Sequence, residues 1–165
     1  MRSCTAAVLA LALIVFPQTV SAAVVTFLTS GTSYATPSDW NNTANFIECV
    51  GPGGNGLDRI GSTATQGGGG GGGGAYAKVT NLTLSGNISY VVGTGATLND
   101  TYFNGAASSS ASISSAPGRT GTTTTSGGRG GSTADSTGTT EFPGGGGVGQ
   151  SVGTGGGGGG AGGTI

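Results

Sequence analysis

Few side chains in this sequence are suited to catalytic or metal chemistry. The chain contains no His and only two Cys, and its acidic residues stand singly. A Ser or Thr nucleophile needs a nearby base, and the single lysine, Lys78, lies within a predicted strand. Calcium needs several converging oxygen ligands, whereas Asp39, Asp58 and Asp100 are far apart in the sequence. We therefore expect no catalytic residue, no metal site and no cofactor, and we predict that the protein is not an enzyme.

A glycine motif at residues 51–56 matches the G-x-G-x-x-G spacing of dinucleotide-binding loops. Such loops need a following helix, whose N-terminus binds the pyrophosphate, and an acidic residue about 20 positions further on for the ribose. Here residues 57–60 are cut off by Gly61, and the stretch near residue 70 is pure glycine. The motif therefore predicts a tight turn rather than a nucleotide site.

Aromatic side chains are the best candidates for ligand contact, because they commonly anchor β-rich domains to carbohydrate or protein. Tyr34, Trp40, Tyr102 and Phe103 lie outside the centres of the predicted strands. The alternative is that they close the ends of a small hydrophobic core, which we favour for Trp40 and Phe103. Tyr102 and Trp40 are our candidate ligand-binding residues, and Tyr102 is the one to test first.

The elements that must position these residues are short strands. Four segments are rich in β-branched and aromatic residues and are bounded by Gly, Pro, Asn or Ser. These predicted strands are residues 24–29, 44–50, 75–84 and 87–92. Ser85-Gly86 predicts a hairpin between residues 76–84 and 87–92, and a further strand is expected at 139–142. No window after the N-terminal segment shows a helical apolar period, so the sequence predicts an all-β fold with a small β-sandwich-like body and long glycine-rich loops.

Glycine accounts for 39 of the 165 residues, and it is concentrated in three runs at residues 67–74, 144–147 and 155–160. One interpretation is that the runs are flexible linkers. The other is a bundle of polyglycine II helices, which are extended, have three residues per turn and pack backbone against backbone. Counted in threes from residue 144 to 162, every position except Gln150 is Gly, although glycine is so dense there that chance explains most of these matches.

Residues 1–22 have the pattern of a secretory signal peptide: a basic residue, an apolar run at residues 6–16, and small residues before position 23. An uncleaved membrane anchor is the alternative, because residues 6–28 are long enough to span a bilayer, but Pro17 and polar residues interrupt this stretch. We predict cleavage after Ala22, no stable membrane span in the mature chain, and a secreted or cell-surface location, either extracellular or periplasmic.

The remaining chain divides into two regions. Most large apolar residues lie in residues 23–104, a predicted β-rich body with a glycine-rich insert at 67–74, whereas residues 105–165 are a Gly/Ser/Thr-rich, low-complexity region that is expected to form a surface arm. Cys49 has apolar neighbours and is predicted to be buried. A formal net charge of -1, with 7% charged residues, leaves no basic patch for nucleic acid.

Several segments, taken in order, resemble a known family. They include a Pro-Ser-Asp-Trp entry, a strand that runs into Gly-Pro-Gly-Gly, a glycine run that ends on Ala-Tyr-Ala-Lys, and a final Asp-Thr-Tyr-Phe-Asn-Gly. These segments are residues 37–40, 46–54, 67–78, 90–95 and 100–105. Together they resemble the glycine-rich domain of phage tail and tail-fibre proteins and of bacterial secreted or surface proteins. The resemblance covers residues 24–163, and it implies an all-β body with glycine-rich loops that acts in attachment or structure rather than catalysis.

These observations favour a secreted, non-enzymatic, adhesin-like protein that presents glycine-rich loops to a cell-surface glycan or an envelope protein. The alternative is a structural matrix or cell-wall protein that self-associates through backbone hydrogen bonds. A third hypothesis is an ice-binding protein, because flat arrays of small residues are able to order water.

Overall fold

The computed structural model describes residues 23–58, 67–122, 126–149 and 156–163. The predicted signal peptide, residues 1–22, lies outside these ranges. Within them, no helix has the length and apolar character needed to cross a membrane.

The described residues contain seven short strands, arranged in two antiparallel sheets. They are β1 (Ser33–Ala35), β2 (Phe46–Val50), β3 (Tyr76–Thr80), β4 (Asn87–Val91), β5 (Thr101–Phe103), β6 (Ile113–Ser115) and β7 (Thr140–Phe142). One sheet has the order β1-β4-β5-β6, and the other has the order β2-β3-β7. Helical structure in the same residues is limited to two single 3-10 turns, Ser108–Ser110 and Thr133–Asp135. The prediction of an all-β fold is confirmed.

Both sheets contribute to one hydrophobic core. Side chains alternate along β4, so that Ile88 and Tyr90 are buried while Ser89 between them is exposed. Cys49 and Ala77 enter the same core from the other sheet. Cys49 is a free thiol with 5% of its surface exposed, as the apolar residues around it predicted.

The predicted hairpin between residues 76–84 and 87–92 is wrong, because β3 and β4 belong to different sheets. Asn81 follows β3 with a φ of 57°, a left-handed conformation that Asn tolerates, and it turns the chain away. The amide of the next residue, Leu82, then donates to the Asn45 side chain at 2.9 Å. This side-chain bond replaces a continuing ladder, so the chain crosses to the other sheet before β4 begins.

Two further segments differ from expectation. Residues 24–29 form no strand, and Phe27 is 85% exposed because it packs against no sheet. Conversely β6, in the expected surface arm, is buried along its whole length. Ser115 is satisfied there because its hydroxyl donates to the carbonyl of Cys49 at 2.7 Å. A hydroxyl with a backbone acceptor can be buried at little cost, which is why a Ser-rich segment serves as an inner strand.

The longest glycine run forms the centre of a group of extended segments. Residues 68–75 bond through their backbone to five described segments that lie alongside them, and successive bonds to each segment are three residues apart. For example, the N–H groups of Gly156, Gly159 and Gly162 donate to it at 2.8–2.9 Å. We call residues 68–75 the central segment, and we call the whole the glycine bundle; its outer segments are residues 51–57, 116–121, 128–131, 144–148 and 156–162.

The close approach of backbones requires glycine at many positions of this bundle. A Cβ on Gly72 or Gly73 would fall within 3.0 Å of a neighbouring carbonyl oxygen, a contact that real Cβ atoms essentially never make. In the outer segments at residues 144–148 and 156–162 the same holds at every third residue: it holds at Gly144 and Gly147, whereas a Cβ on Gly146 has its nearest neighbour at 3.7 Å. The constrained positions, which continue at residues 156, 159 and 162, coincide with the spacing of three in the sequence.

Substitution of a glycine in close contact with a carbonyl oxygen and of a glycine with free space should change the free energy of unfolding in different ways. Gly72→Ala would place a methyl group against the Arg129 carbonyl, and we expect it to lower the free energy of unfolding by about 1–3 kcal/mol or more, as overpacking does. Gly146→Ala has room, and it should be neutral or stabilising by up to about 1 kcal/mol, because Ala restricts the unfolded chain. Denaturant unfolding of both variants checks this; equal effects would contradict the close-approach argument.

The core also predicts a pH dependence of stability. Burial raises the pKa of Cys49 from 9.0 to about 12, and burial together with a hydrogen bond to Glu48 raises the pKa of Tyr76 from 10.0 to about 12. Above about pH 9 the unfolded chain loses these protons while the folded chain keeps them, so the free energy of unfolding should fall as pH rises toward 12. Denaturant unfolding measured from pH 9 to 12 should show a shallower fall of the free energy of unfolding with pH in Cys49→Ala and in Tyr76→Phe than in the native protein. A pH dependence equal to that of the native protein in both variants would contradict this prediction.

Candidate binding site

Two adjacent open grooves lie beside β5. The first groove has a volume of about 420 Å³, and the second has a volume of about 400 Å³. Asp100 and Ser108 line both, so the grooves meet at these two residues. The first groove also includes Asn99 and Tyr102, and the second includes Arg119 and Asp135.

A compact turn before β5 forms one wall of the first groove. Leu98 has a φ of 52°, and its amide donates to the Thr94 carbonyl at 2.9 Å. The hydroxyls of Thr94 and Thr97 lie 2.7 Å apart, and the Gly93 amide donates to the Thr101 hydroxyl at 3.1 Å. These local bonds fix residues 94–98, and they place Asn99 and Asp100 at the groove immediately before the strand.

A second turn, after β5, places Ser108 between the grooves. Asn104 has a φ of 62°, and its side-chain amide donates to the Ser112 hydroxyl at 2.8 Å. The Ser112 amide donates back to the Asn104 carbonyl at 3.1 Å. Because these bonds close the loop at its base, the 3-10 turn Ser108–Ser110 is held where Ser108 lines both grooves.

The second groove lies where the sheets meet the glycine bundle. Its floor is Ser114 of β6, whose backbone pairs with Thr137 through bonds of 3.0 and 2.9 Å. The 3-10 turn capped by Ser132 carries Asp135. Arg119 comes from an outer segment of the bundle, where its carbonyl accepts from Gly72 at 2.9 Å. The bundle therefore fixes the backbone of a charged residue that lines the groove.

The charged groups in these grooves are available to a ligand. The one ion pair within the described ranges is Lys78 with Glu48, at 3.3 Å, so Asp100, Arg119 and Asp135 have no described ionic partner. The described residues contain no group of three or more His, Cys, Asp or Glu side chains that could hold a metal ion. Carboxylates that accept, a guanidinium that donates and hydroxyls that do both are suited to binding a polar ligand by hydrogen bonds.

The structure separates the two aromatic candidates. Tyr102 lines the first groove, is half-buried, and donates from its hydroxyl to the Ala106 carbonyl at 3.4 Å. Trp40 packs against the hydrophobic core, and its indole N–H donates to the Leu82 carbonyl at 3.2 Å. Phe103 is a core residue, and its ring lies 5.9 Å from that of Tyr34.

Sequence reasoning missed the charged residues of the grooves. Asp100 and Asp135 are far apart in the chain, and Arg119 lies in a region that was expected to be a surface arm. The one available signal was the Asp-Thr-Tyr-Phe-Asn-Gly motif, which places Asp100 two residues before Tyr102. The other two residues are brought to the grooves by long-range contacts.

The G-x-G-x-x-G motif at residues 51–56 is part of the glycine bundle. It is an extended outer segment of the bundle rather than a tight turn. The Gly51 and Gly54 amides donate to carbonyls of the central segment, at 2.8 Å in both cases. Amides that are already paired in this way do not bind a phosphate.

Comparisons of this chain with protein-family models, with curated proteins and with solved structures give no match.

Measurements of the free energy of unfolding test whether Trp40 belongs to the core and Tyr102 to the first groove. Trp40→Phe loses a part-buried hydrogen bond to the Leu82 carbonyl, and it should lower the free energy of unfolding by about 1–2 kcal/mol. Tyr102→Phe loses only a long, exposed bond, and its effect should stay within about 0.5 kcal/mol. Thermal and denaturant unfolding check both values. A larger loss for Tyr102→Phe than for Trp40→Phe would reverse the assignment.

Proposed function

We propose that this protein is a secreted, non-enzymatic, adhesin-like binding protein whose glycine-rich segments present the two grooves to a glycan or envelope partner. The observation that carries the proposal is the second groove. There Asp100, Arg119 and Asp135 lie without described ionic partners, and Asp100 continues into the first groove beside Tyr102.

The chemistry of the grooves suits a sugar. Each sugar hydroxyl both donates and accepts, so it can bond to the carboxylate of Asp100 and to the guanidinium of Arg119 in the same site. Sugars also have apolar faces, and the half-buried ring of Tyr102 offers a surface for one. Ligand sites in general place a few convergent polar groups beside aromatic or apolar side chains, and the first groove has both.

We further propose that the glycine bundle is a polyglycine II bundle that supports a small β-sandwich-like body. The spacing of three between successive backbone bonds supports the first part, since it equals the repeat of that helix. The shared core of the two sheets supports the second. A bundle of this kind is rigid, because backbone bonds join each outer segment to the central segment, and rigidity reduces the entropic cost of holding Arg119 in place.

The alternative, a structural protein that self-associates through backbone hydrogen bonds, is favoured by a separate observation. The outer segment at residues 156–162 exposes Gly157, Gly158 and Gly160, which present backbone rather than side chains to the surroundings. Exposed, extended backbone is able to pair with another chain.

Glycan binding is tested with the full chain, exported and processed by an expression host. We expect it to bind members of an immobilised oligosaccharide library. Asp100→Asn should weaken binding about tenfold or more, because a hydrogen bond to a charged group contributes about 1.5–3 kcal/mol. Tyr102→Ala should also weaken binding, because it removes the ring against which the apolar face of a sugar would pack. Titration calorimetry with the best-binding oligosaccharide gives the dissociation constants.

The matched control is Asp39→Asn, which removes an exposed carboxylate from a turn outside both grooves. It should bind as the native protein does. Unchanged binding in Asp100→Asn and Tyr102→Ala would remove the grooves from the proposal. Failure to bind any oligosaccharide, together with concentration-dependent association, would favour the structural alternative.

A further inference from the structure

The outer segments leave one side of the central segment open. A helix with three residues per turn directs its N–H groups in three directions that are about 120° apart and its carbonyl groups in three others, so six neighbours are able to bond to it. Gly72 and Gly73 use both groups, since the N–H donates and the carbonyl accepts. Gly71 and Gly74 accept from residues 156–162, but no carbonyl among the described residues accepts a hydrogen bond from their N–H groups.

The open side lies between two particular outer segments. Backbone bonds join the outer segments in sequence around the centre, from residues 51–57 through to residues 156–162, but no bond between described residues joins these two to each other. The segments joined in between are residues 116–121, 128–131 and 144–148. Six neighbours complete the ring around such a helix, so five positions are filled by described segments and the sixth is not.

Carbonyl groups line both walls of this sixth position. The carbonyls of Gly51 and Gly54 take no hydrogen bond from a described residue, and they lie against Gly74 and Gly71 respectively. On the other wall, the carbonyls of Gly156 and Gly159 are likewise without a described donor. We call this space the open slot; its floor is Gly71 and Gly74, and its walls are residues 51–57 and 156–162.

The floor of the open slot is buried although its donors lack a described acceptor. Gly71 and Gly74 are both buried. A buried N–H without an acceptor is unfavourable for the folded protein, and more than nine-tenths of such groups in native proteins are paired. A ligand that brings carbonyl oxygens spaced three residues apart would satisfy both floor amides.

The glycines that border the open slot are not required by packing within the chain. A Cβ on Gly56 would lie 3.5 Å from the Gly69 carbonyl oxygen and 4.0 Å from the Gly71 nitrogen, both ordinary contacts. Gly53 and Gly158 have similar room, with nearest atoms at 3.5 and 3.7 Å. All three are exposed. Side chains would fit at these positions, and their absence keeps the slot clear.

We propose that the open slot binds an extended, glycine-rich segment of a partner polypeptide. The partner's carbonyls accept from Gly71 and Gly74, and its N–H groups donate to the carbonyls of the two walls. This is the bonding that the five outer segments already make, and it requires glycine at every third position of the partner, where it faces the floor. The slot residues carry no charge, so the bound segment is uncharged. The inference rests on the proposed polyglycine II geometry and is independent of the grooves.

Amide hydrogen exchange, followed by NMR on the full exported chain, tests the proposal. In the free protein the Gly71 and Gly74 amides should exchange about tenfold or more faster than those of Gly70 and Gly73, which already have acceptors. A synthetic peptide of repeated Gly-Gly-Ser should slow Gly71 and Gly74 by at least about tenfold, and a peptide of repeated Ala-Ala-Ser should not.

Two variants separate the slot from the fold. Gly56→Val places a side chain in the slot and should abolish the effect of the peptide, whereas Gly146→Val, on the outside of the bundle, should preserve it. Slow exchange of Gly70 and Gly73 in both variants shows that the bundle is intact, and fast exchange there in the native protein would overturn the polyglycine II proposal itself. Slow exchange of Gly71 and Gly74 in the free protein, or an equal response to both peptides, would overturn the slot.

Discussion

The close approach of backbones around residues 68–75 is the constraint on which the rest of the structure depends. Carbonyl oxygens of neighbouring segments occupy the places where side chains would begin, so residues 70–74 of the central segment have no room for any residue but glycine. Four strands continue directly into the bundle: β2, β6 and β7 each lead into an outer segment, and the central segment leads into β3. The sheets and the bundle therefore fix each other's positions, because any shift in one strand would break backbone bonds in the segment that follows or precedes it.

The same constraint positions the residues of the proposed binding site. Arg119 lies on an outer segment whose backbone is bonded to the central segment and to residues 128–131, so the charged side of the second groove is held by the bundle. Asp100 and Tyr102 are held by the sheets and by two locally bonded turns. The proposed glycan site is thus a junction between two kinds of backbone order, and it uses the few charged residues of a chain that is otherwise almost uncharged.

Part of this arrangement was predictable from the sequence. The strands at residues 46–50, 76–80, 87–91 and 140–142 fall within predicted segments, because these segments are rich in β-branched and aromatic residues. β6 was not predictable from hydrophobicity, since two of its three residues are Ser and its burial depends on the bond from Ser115 to the distant Cys49 carbonyl. Tyr102, which lines the first groove, was a candidate from the sequence, but Asp135 and Arg119 were not, because nothing local distinguishes them from other scattered charges.

By itself the sequence determined the chemistry that is present: no His, few charges, strand-forming segments, and glycine at a spacing of three. These are properties of residue type and order, and they govern structure only between residues that are close together in the sequence. Tertiary structure decided which strands pair, which charges meet in a groove, and which glycines must be glycine. Those outcomes depend on carbonyl and amide groups of segments tens of residues apart, and backbone groups are the same in every residue, so their pairing leaves little trace in the sequence.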